Sequence, residues 1–181
     1  MIFAGRATQA DATDPEPLLV RAEIARAAGE PAAELEALRR AAELDPESSR
    51  AQLALGRALF ERGQLPAALT AVETAAALEP ASYAAALAYG QVLSAANQTK
   101  PAEQALLRSV ALSPRAAEPH FELARLKLDG DGDAQAALTE AKLFLSLSTQ
   151  PPPPSHPIHA LVQRCEEALK QRAQASVVQT G

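Results

Sequence analysis

The chain has 181 residues, of which 43 are Ala and 25 are Leu, whereas aromatic residues make up only 3%. Because Ala and Leu are strong helix formers, this composition favours an all-α fold and argues against an all-β or α/β fold. The formal net charge of −5 provides no general attraction to nucleic acid or anionic lipid, and a single Cys excludes an intrachain disulfide and a thiolate zinc site.

The start of the chain, residues 1–14, is predicted to be a flexible lead. It lacks the basic start and the apolar core of a secretory signal. No apolar stretch of the chain approaches the roughly 18 residues that a membrane-spanning helix needs. We therefore expect a cytoplasmic protein without membrane insertion; the alternative is a periplasmic or envelope protein whose leader is missing.

A repeat of 34 residues follows the lead. Three prolines that end similar short segments are spaced by 34 residues, namely Pro46, Pro80 and Pro114. Four large apolar residues keep it too, namely Leu19, Leu53, Leu87 and Phe121. A sustained period of this length indicates a solenoid of stacked repeats. It predicts four repeats, over residues 15–48, 49–82, 83–116 and 117–151.

Each repeat is predicted to contain two short helices, A and B, joined by a turn. In the second repeat, apolar residues recur at spacings of three and four on both sides of residues 62–66. Gly63 can adopt the positive φ that ends a helix, and Pro66 suits the first turn of the next one. Gly29 and Asn97 are expected to do the same in the first and third repeats.

This pattern resembles the tetratricopeptide repeat (TPR) family, whose 34-residue unit has a small residue at position 8, Ala at 20 and 27, and Pro at 32. The second repeat matches at all four positions, with Gly56, Ala68, Ala75 and Pro80. The first repeat matches less well, and the fourth needs one extra residue in its turn. The resemblance covers residues 15–151 and implies an all-α α-solenoid, a right-handed superhelix of four TPR units. The Ala-, Arg- and Pro-rich usage resembles that of bacterial TPR proteins.

A final helix over residues 157–175 is predicted to cap the solenoid. Its apolar residues form one stripe, namely Ile158, Leu161, Val162, Cys165 and Leu169. The Pro-rich residues 151–156 are interpreted as a stiff spacer, and residues 176–181 as a frayed tail. Cys165, which lies on this stripe, is expected to be a buried thiol. His156 and His159 lie outside the stripe and are expected to be exposed.

The resemblance also implies where a partner would bind, because the A helices of TPR units line a concave groove. Its positions 5, 9 and 12 give an apolar strip with polar residues beside it: Leu19, Leu53, Phe60, Leu87, Phe121 and Leu128, with Arg57, Gln91 and Arg125. An exposed apolar patch usually marks an interaction site, and this one suits an amphipathic helix or an extended peptide with Leu or Phe anchors. The alternative is that part of the strip belongs to the core.

The sequence therefore predicts a non-enzymatic scaffold that binds another protein within a larger bacterial assembly, without cofactor or nucleic acid. TPR co-chaperones bind the carboxylate tail of heat-shock proteins through polar and basic residues at set positions. This chain lacks those residues, because the corresponding positions are occupied by Leu19, Glu23, Ala54, Ala84 and Ala88. One alternative is a structural subunit whose groove is filled by its own chain or by a second copy. Pairing of copies through the end helices is also possible.

A second alternative is a weak calcium site in the turn of the fourth repeat. The spacing of Asp129, Asp131, Asp133 and Glu140 follows a calcium-binding loop, except that Ala134 replaces its required Gly. The competing interpretation is an acidic turn, lengthened by one residue, in which Asp133 caps a helix that begins near Ala134. We favour the turn, because such a helix begins too early for a calcium loop.

Overall fold

A computed structural model describes residues 14–130 and 132–179, the last four of them by backbone only. All regular structure in these ranges is helical, which confirms the predicted fold class. The helices are α1 (Glu16–Ala27), α2 (Pro31–Leu44), α3 (Ser49–Glu61), α4 (Leu65–Leu78), α5 (Tyr83–Ala95), α6 (Thr99–Leu112), α7 (Glu118–Asp129), α8 (Ala134–Leu147) and α9 (Pro157–Gln179). The predicted lead falls outside the described residues except for Asp14.

The helices pack in consecutive pairs: α1 with α2, α3 with α4, α5 with α6, and α7 with α8. Each pair lies within the bounds of one predicted repeat, and its two helices stand where helices A and B were expected. The chain divides into two compact units, one up to Leu78 and one from Glu79. We call them the N-terminal unit, with α1–α4, and the C-terminal unit, with α5–α9.

Local residue chemistry sets where these helices begin and end. The Ser48 hydroxyl accepts a hydrogen bond from the Ala51 amide, and Ser82 does the same one repeat later, so that serines cap α3 and α5. Gly63 has a φ of 70° and Asn97 one of 58°, in the turns where positive values are predicted. The sequence pattern therefore predicts the helix boundaries from local signals.

Small residues let the paired helices approach closely. A Cβ atom added to Gly56 on α3 would lie 2.5 Å from Val72 Cγ1 on α4. The equivalent atom on Gly90 would lie 2.7 Å from Leu106 Cγ, in the next pair. Each unit then buries its own apolar cluster, centred on Leu19 and Leu38 in the N-terminal unit and on Ile158 in the C-terminal unit.

The last helix differs from its prediction in length. It begins at Pro157 as predicted but continues to Gln179 instead of ending at residue 175, so residues 176–179 of the predicted tail are helical; residues 180–181 lie outside the described ranges. Gln, Arg and Ala fill residues 171–175 and favour helix, and neither Gly nor Pro stands between residue 158 and Gln179 to end it. Its apolar stripe packs on α7 and α8, with Ile158 and Cys165 fully buried. In the described ranges, no helix combines the length and apolarity needed to cross a membrane.

Candidate functional site

A cavity of about 210 Å³ lies in the N-terminal unit, between α1 and α3 and above α2. Three of the predicted groove residues line it, namely Leu19, Leu53 and Arg57. Leu19 is buried, together with Leu38 from α2, whereas Leu53 and Ala54 are half-buried. We call this the N-terminal cavity. Its floor is apolar, and Leu53 and Ala54 are the two apolar side chains of this floor that are partly exposed.

Ion pairs tie the helices around the N-terminal cavity together. The Arg50 guanidinium on α3 donates a 2.8 Å hydrogen bond to Glu16 on α1 and lies 3.4 Å from Glu23. The buried Glu34 carboxylate on α2 accepts a 2.7 Å hydrogen bond from Arg62 and lies 3.8 Å from Arg26. Because Glu34 is buried, these arginines offset the cost of removing its charge from water.

Two charged side chains of the cavity stand apart from this network. Arg57 and Glu61 are both exposed, and within the described residues neither side chain forms an ion pair or hydrogen bond. They lie four residues apart on α3, so both project from the same face one turn apart. The cavity therefore offers one uncommitted cation and one uncommitted anion beside an apolar floor.

The predicted groove residues of the C-terminal unit are already engaged. Leu87 is buried, and Gln91 Nε2 donates a 2.9 Å hydrogen bond to Glu122 Oε1. Arg125 lies 3.0 Å from Glu122 Oε2. The burial of Glu122 was not predicted from the sequence. A possible signal was its place next to position 5 of the fourth repeat, close to the polar residues at position 9 of the third and fourth repeats.

The remaining predicted groove residues are Phe60, Phe121 and Leu128, all half-buried. The Phe121 ring lies 5.6 Å from Phe144 and 5.5 Å from the His156 imidazole, measured between centroids. His156 in turn stacks on Phe144 at 5.3 Å. The expectation of an exposed His156 is therefore wrong, because the segment before α9 returns onto these two rings and covers Phe121.

The acidic turn of the fourth repeat is built as the capping interpretation predicts. The Asp133 carboxylate accepts a 3.0 Å hydrogen bond from the Ala136 amide and caps α8, while Gly132 has a φ of 65°. Glu140 pairs with His120 at 2.8 Å, and Asp129 pairs with Arg164 at 2.6 Å.

Of the four carboxylates of the calcium alternative, Asp129, Asp133 and Glu140 have three different partners in these contacts. Asp131 lies outside the described residues, so the complete set is not on view. Among the residues that the structure describes, no group of three or more His, Cys, Asp or Glu side chains could hold a metal ion.

The one thiol of the chain is inaccessible. Cys165 on α9 is fully buried, as predicted, and its pKa is raised by that burial, with the nearby Arg164 cation opposing the shift. A raised pKa keeps the thiol protonated at neutral pH, and the thiolate is the nucleophilic form.

No family model and no curated protein matches the chain. It is similar to solved structures, including PilW, a type IV pilus biogenesis factor, with 26% identity, a TM-score of 0.76, and coverage of 88% of this chain and 72% of that one. TTC0263, a TPR protein of Thermus thermophilus, has 21% identity, a TM-score of 0.70 and 89% coverage of each chain. The first TPR of Spaghetti (RPAP3), solved with an HSP90 peptide, has 18% identity, a TM-score of 0.62, and coverage of 66% and 94%.

Paired helices repeated every 34 residues define a helical-repeat protein. With these structural neighbours, the chain has a TPR-type fold.

Proposed function

We propose that the chain is a non-enzymatic module that binds another protein through the N-terminal cavity, within a larger bacterial assembly. The observation that carries this proposal is the half-buried Leu53 beside the exposed, uncommitted Arg57 in a cavity of about 210 Å³. Apolar surface left open next to a few polar groups is the usual composition of a binding site.

The structural neighbours support an interaction role. One of them is a TPR unit bound to an HSP90 peptide, and another is a pilus biogenesis factor. A heat-shock carboxylate tail is not the ligand we propose, because Leu19, Glu23 and Ala54 occupy positions that are Lys or Asn in the proteins that hold it.

A second candidate function is a structural subunit whose groove is filled by its own chain. The contact of His156 with Phe121 favours it, because a segment of the same chain covers a residue that a partner was expected to contact. It applies to the C-terminal unit, and for this reason we place the partner site in the N-terminal cavity.

The test is affinity capture from native cell extract, followed by mass spectrometry, with the wild type, Leu53→Glu and Leu107→Glu. Leu107 on α6 is 49% exposed and lies outside the cavity, so Leu107→Glu makes the same chemical change away from the proposed binding site. We expect Leu53→Glu to lose partners that the wild type and Leu107→Glu retain, because a partner's apolar side chain would then have to cover a charged group. Circular dichroism checks that both variants are folded.

A partner set shared by all three folded proteins would contradict the N-terminal cavity as the binding site. The self-filled structural subunit would then lead, and sedimentation at several concentrations would show whether a second copy takes part.

A further inference from the structure

We propose that the N-terminal cavity selects a peptide by a pair of opposite charges flanking an apolar side chain, with an acidic group facing Arg57 and a basic group facing Glu61. This inference rests on the proposed function and names the chemistry of the partner.

The charges of the cavity fall into two classes. Glu23, Arg26, Glu34 and Arg50 all take part in ion pairs within the N-terminal unit. Arg57 and Glu61 form no ion pair or hydrogen bond through their side chains in the described part of the chain, although both line the same cavity. Only these two are therefore available to a ligand without breaking a contact of the protein itself.

The order of the two residues weakens the ion pair that they could form with each other. A pair spaced by four residues on a helix is more stable when the acid precedes the base, in keeping with the helix dipole. Here Arg57 precedes Glu61, which is the less favourable order. The helix thus presents both charges to solvent one turn apart.

The ligand that complements this surface is defined by spacing as well as by charge. Side chains four residues apart on a helix are about 5–6 Å from each other. A helical peptide matches this with an acid and a base four residues apart, and an extended peptide with the two charges two residues apart. An apolar side chain between or beside them would lie over Leu53 and Ala54, which leave part of the floor open.

Opposed charges of this kind determine the orientation and selectivity of a bound peptide more than its total affinity. A peptide inserted in the reverse direction would place its acid on Glu61 and its base on Arg57. The N-terminal cavity is therefore expected to prefer one direction of the peptide chain along α3.

The experiment pans a phage-displayed library of random peptides over the wild type, Arg57→Glu and Glu61→Lys. The matched controls are Arg40→Glu and Glu36→Lys, since Glu36 and Arg40 are exposed, lie four residues apart on α2 and are outside the cavity. Each control changes the net charge as its cavity variant does. Selected peptides are then synthesised, and their affinities for all five proteins and for Leu53→Glu are measured by fluorescence anisotropy.

We expect the wild type to enrich peptides with an apolar anchor, an acid and a base at the stated spacing. Arg57→Glu should exchange the acid for a base, and Glu61→Lys should exchange the base for an acid. The affinity of the wild-type peptides should fall about tenfold in each cavity variant and stay unchanged in each control.

Three results would overturn the inference: enriched peptides without charge preference, a preference that the controls shift equally, or no Leu53-dependent peptide at all. Peptides that bind through Leu53 without any charge rule would leave the proposed function standing. If the library gave no Leu53-dependent peptides and partner capture were unaffected by Leu53→Glu, both the proposed function and this inference would be wrong.

Discussion

At the scale of single residues, Gly56 marks a close approach of α3 and α4 in the N-terminal unit. A Cβ atom there would lie 2.5 Å from Val72 Cγ1 and 3.1 Å from the Val72 backbone nitrogen. Val72 is fully buried, and as a β-branched residue it has little rotamer freedom in a helix. The space around Gly56 can therefore open only if α3 and α4 move apart.

We predict that Gly56→Ala destabilises the protein, although Ala is the better helix former. Overpacking a core costs about 1–3 kcal/mol, which exceeds the gain of up to about 1 kcal/mol from helix propensity. Urea unfolding followed by circular dichroism measures the change in the free energy of unfolding. In a double-mutant cycle with Val72→Ala, the two changes should be non-additive, because removing Cγ1 removes the clash. A Gly56→Ala protein as stable as the wild type would show that the helices separate at no cost.

At the scale of elements, the cap of α8 decides between the two interpretations of the acidic turn. We predict that Asp133→Ala costs about 1 kcal/mol, because the Ala136 amide loses its acceptor, whereas Asp133→Asn keeps the cap and the stability. Thermal melting of the two variants, with and without millimolar calcium, measures both effects. A calcium-dependent rise in the melting temperature of the wild type that Asp133→Ala abolishes would instead support the metal site.

The same scale shows why the helices could be predicted and part of the site could not. Gly63, Pro66 and Ser48 act on their own turns, so a sequence pattern suffices to place helix boundaries. The stacking of His156 on Phe144 and the burial of Glu122 depend on which distant residues meet after folding. Positions 5 and 9 select candidate groove residues, but they do not reveal which of these residues the protein's own contacts occupy.

At the scale of the whole molecule, stability is shared between separate apolar clusters. The cluster of the N-terminal unit is formed by α1–α3, and that of the C-terminal unit by α7–α9. In repeat proteins, stability is approximately a sum of repeat and neighbour terms, so damage to one region need not unfold the rest. The capping helix α9 supplies Ile158, Leu161 and Cys165 to the C-terminal cluster, so its docking can be weakened by a single substitution.

The buried thiol allows this local loss of structure to be measured. We predict that Ile158→Ala loosens α9, because removing a fully buried Ile side chain typically costs about 2–5 kcal/mol. Cys165 should then react with a thiol reagent at pH 8 much faster than in the wild type, where burial both shields it and raises its pKa. Amide exchange in α1 and α2 should stay unchanged, because their cluster contains no residue of α9.

Val20→Ala provides the control for this experiment, since Val20 on α1 is 48% exposed and its truncation should alter neither measurement. Two results would contradict shared stability. Unchanged labelling of Cys165 in Ile158→Ala would show that α9 is held by contacts other than its buried stripe. Equal acceleration of exchange in α1, α2 and α9 would show that the chain unfolds as one cooperative body, in which case the capping helix would determine the stability of the N-terminal cavity as well.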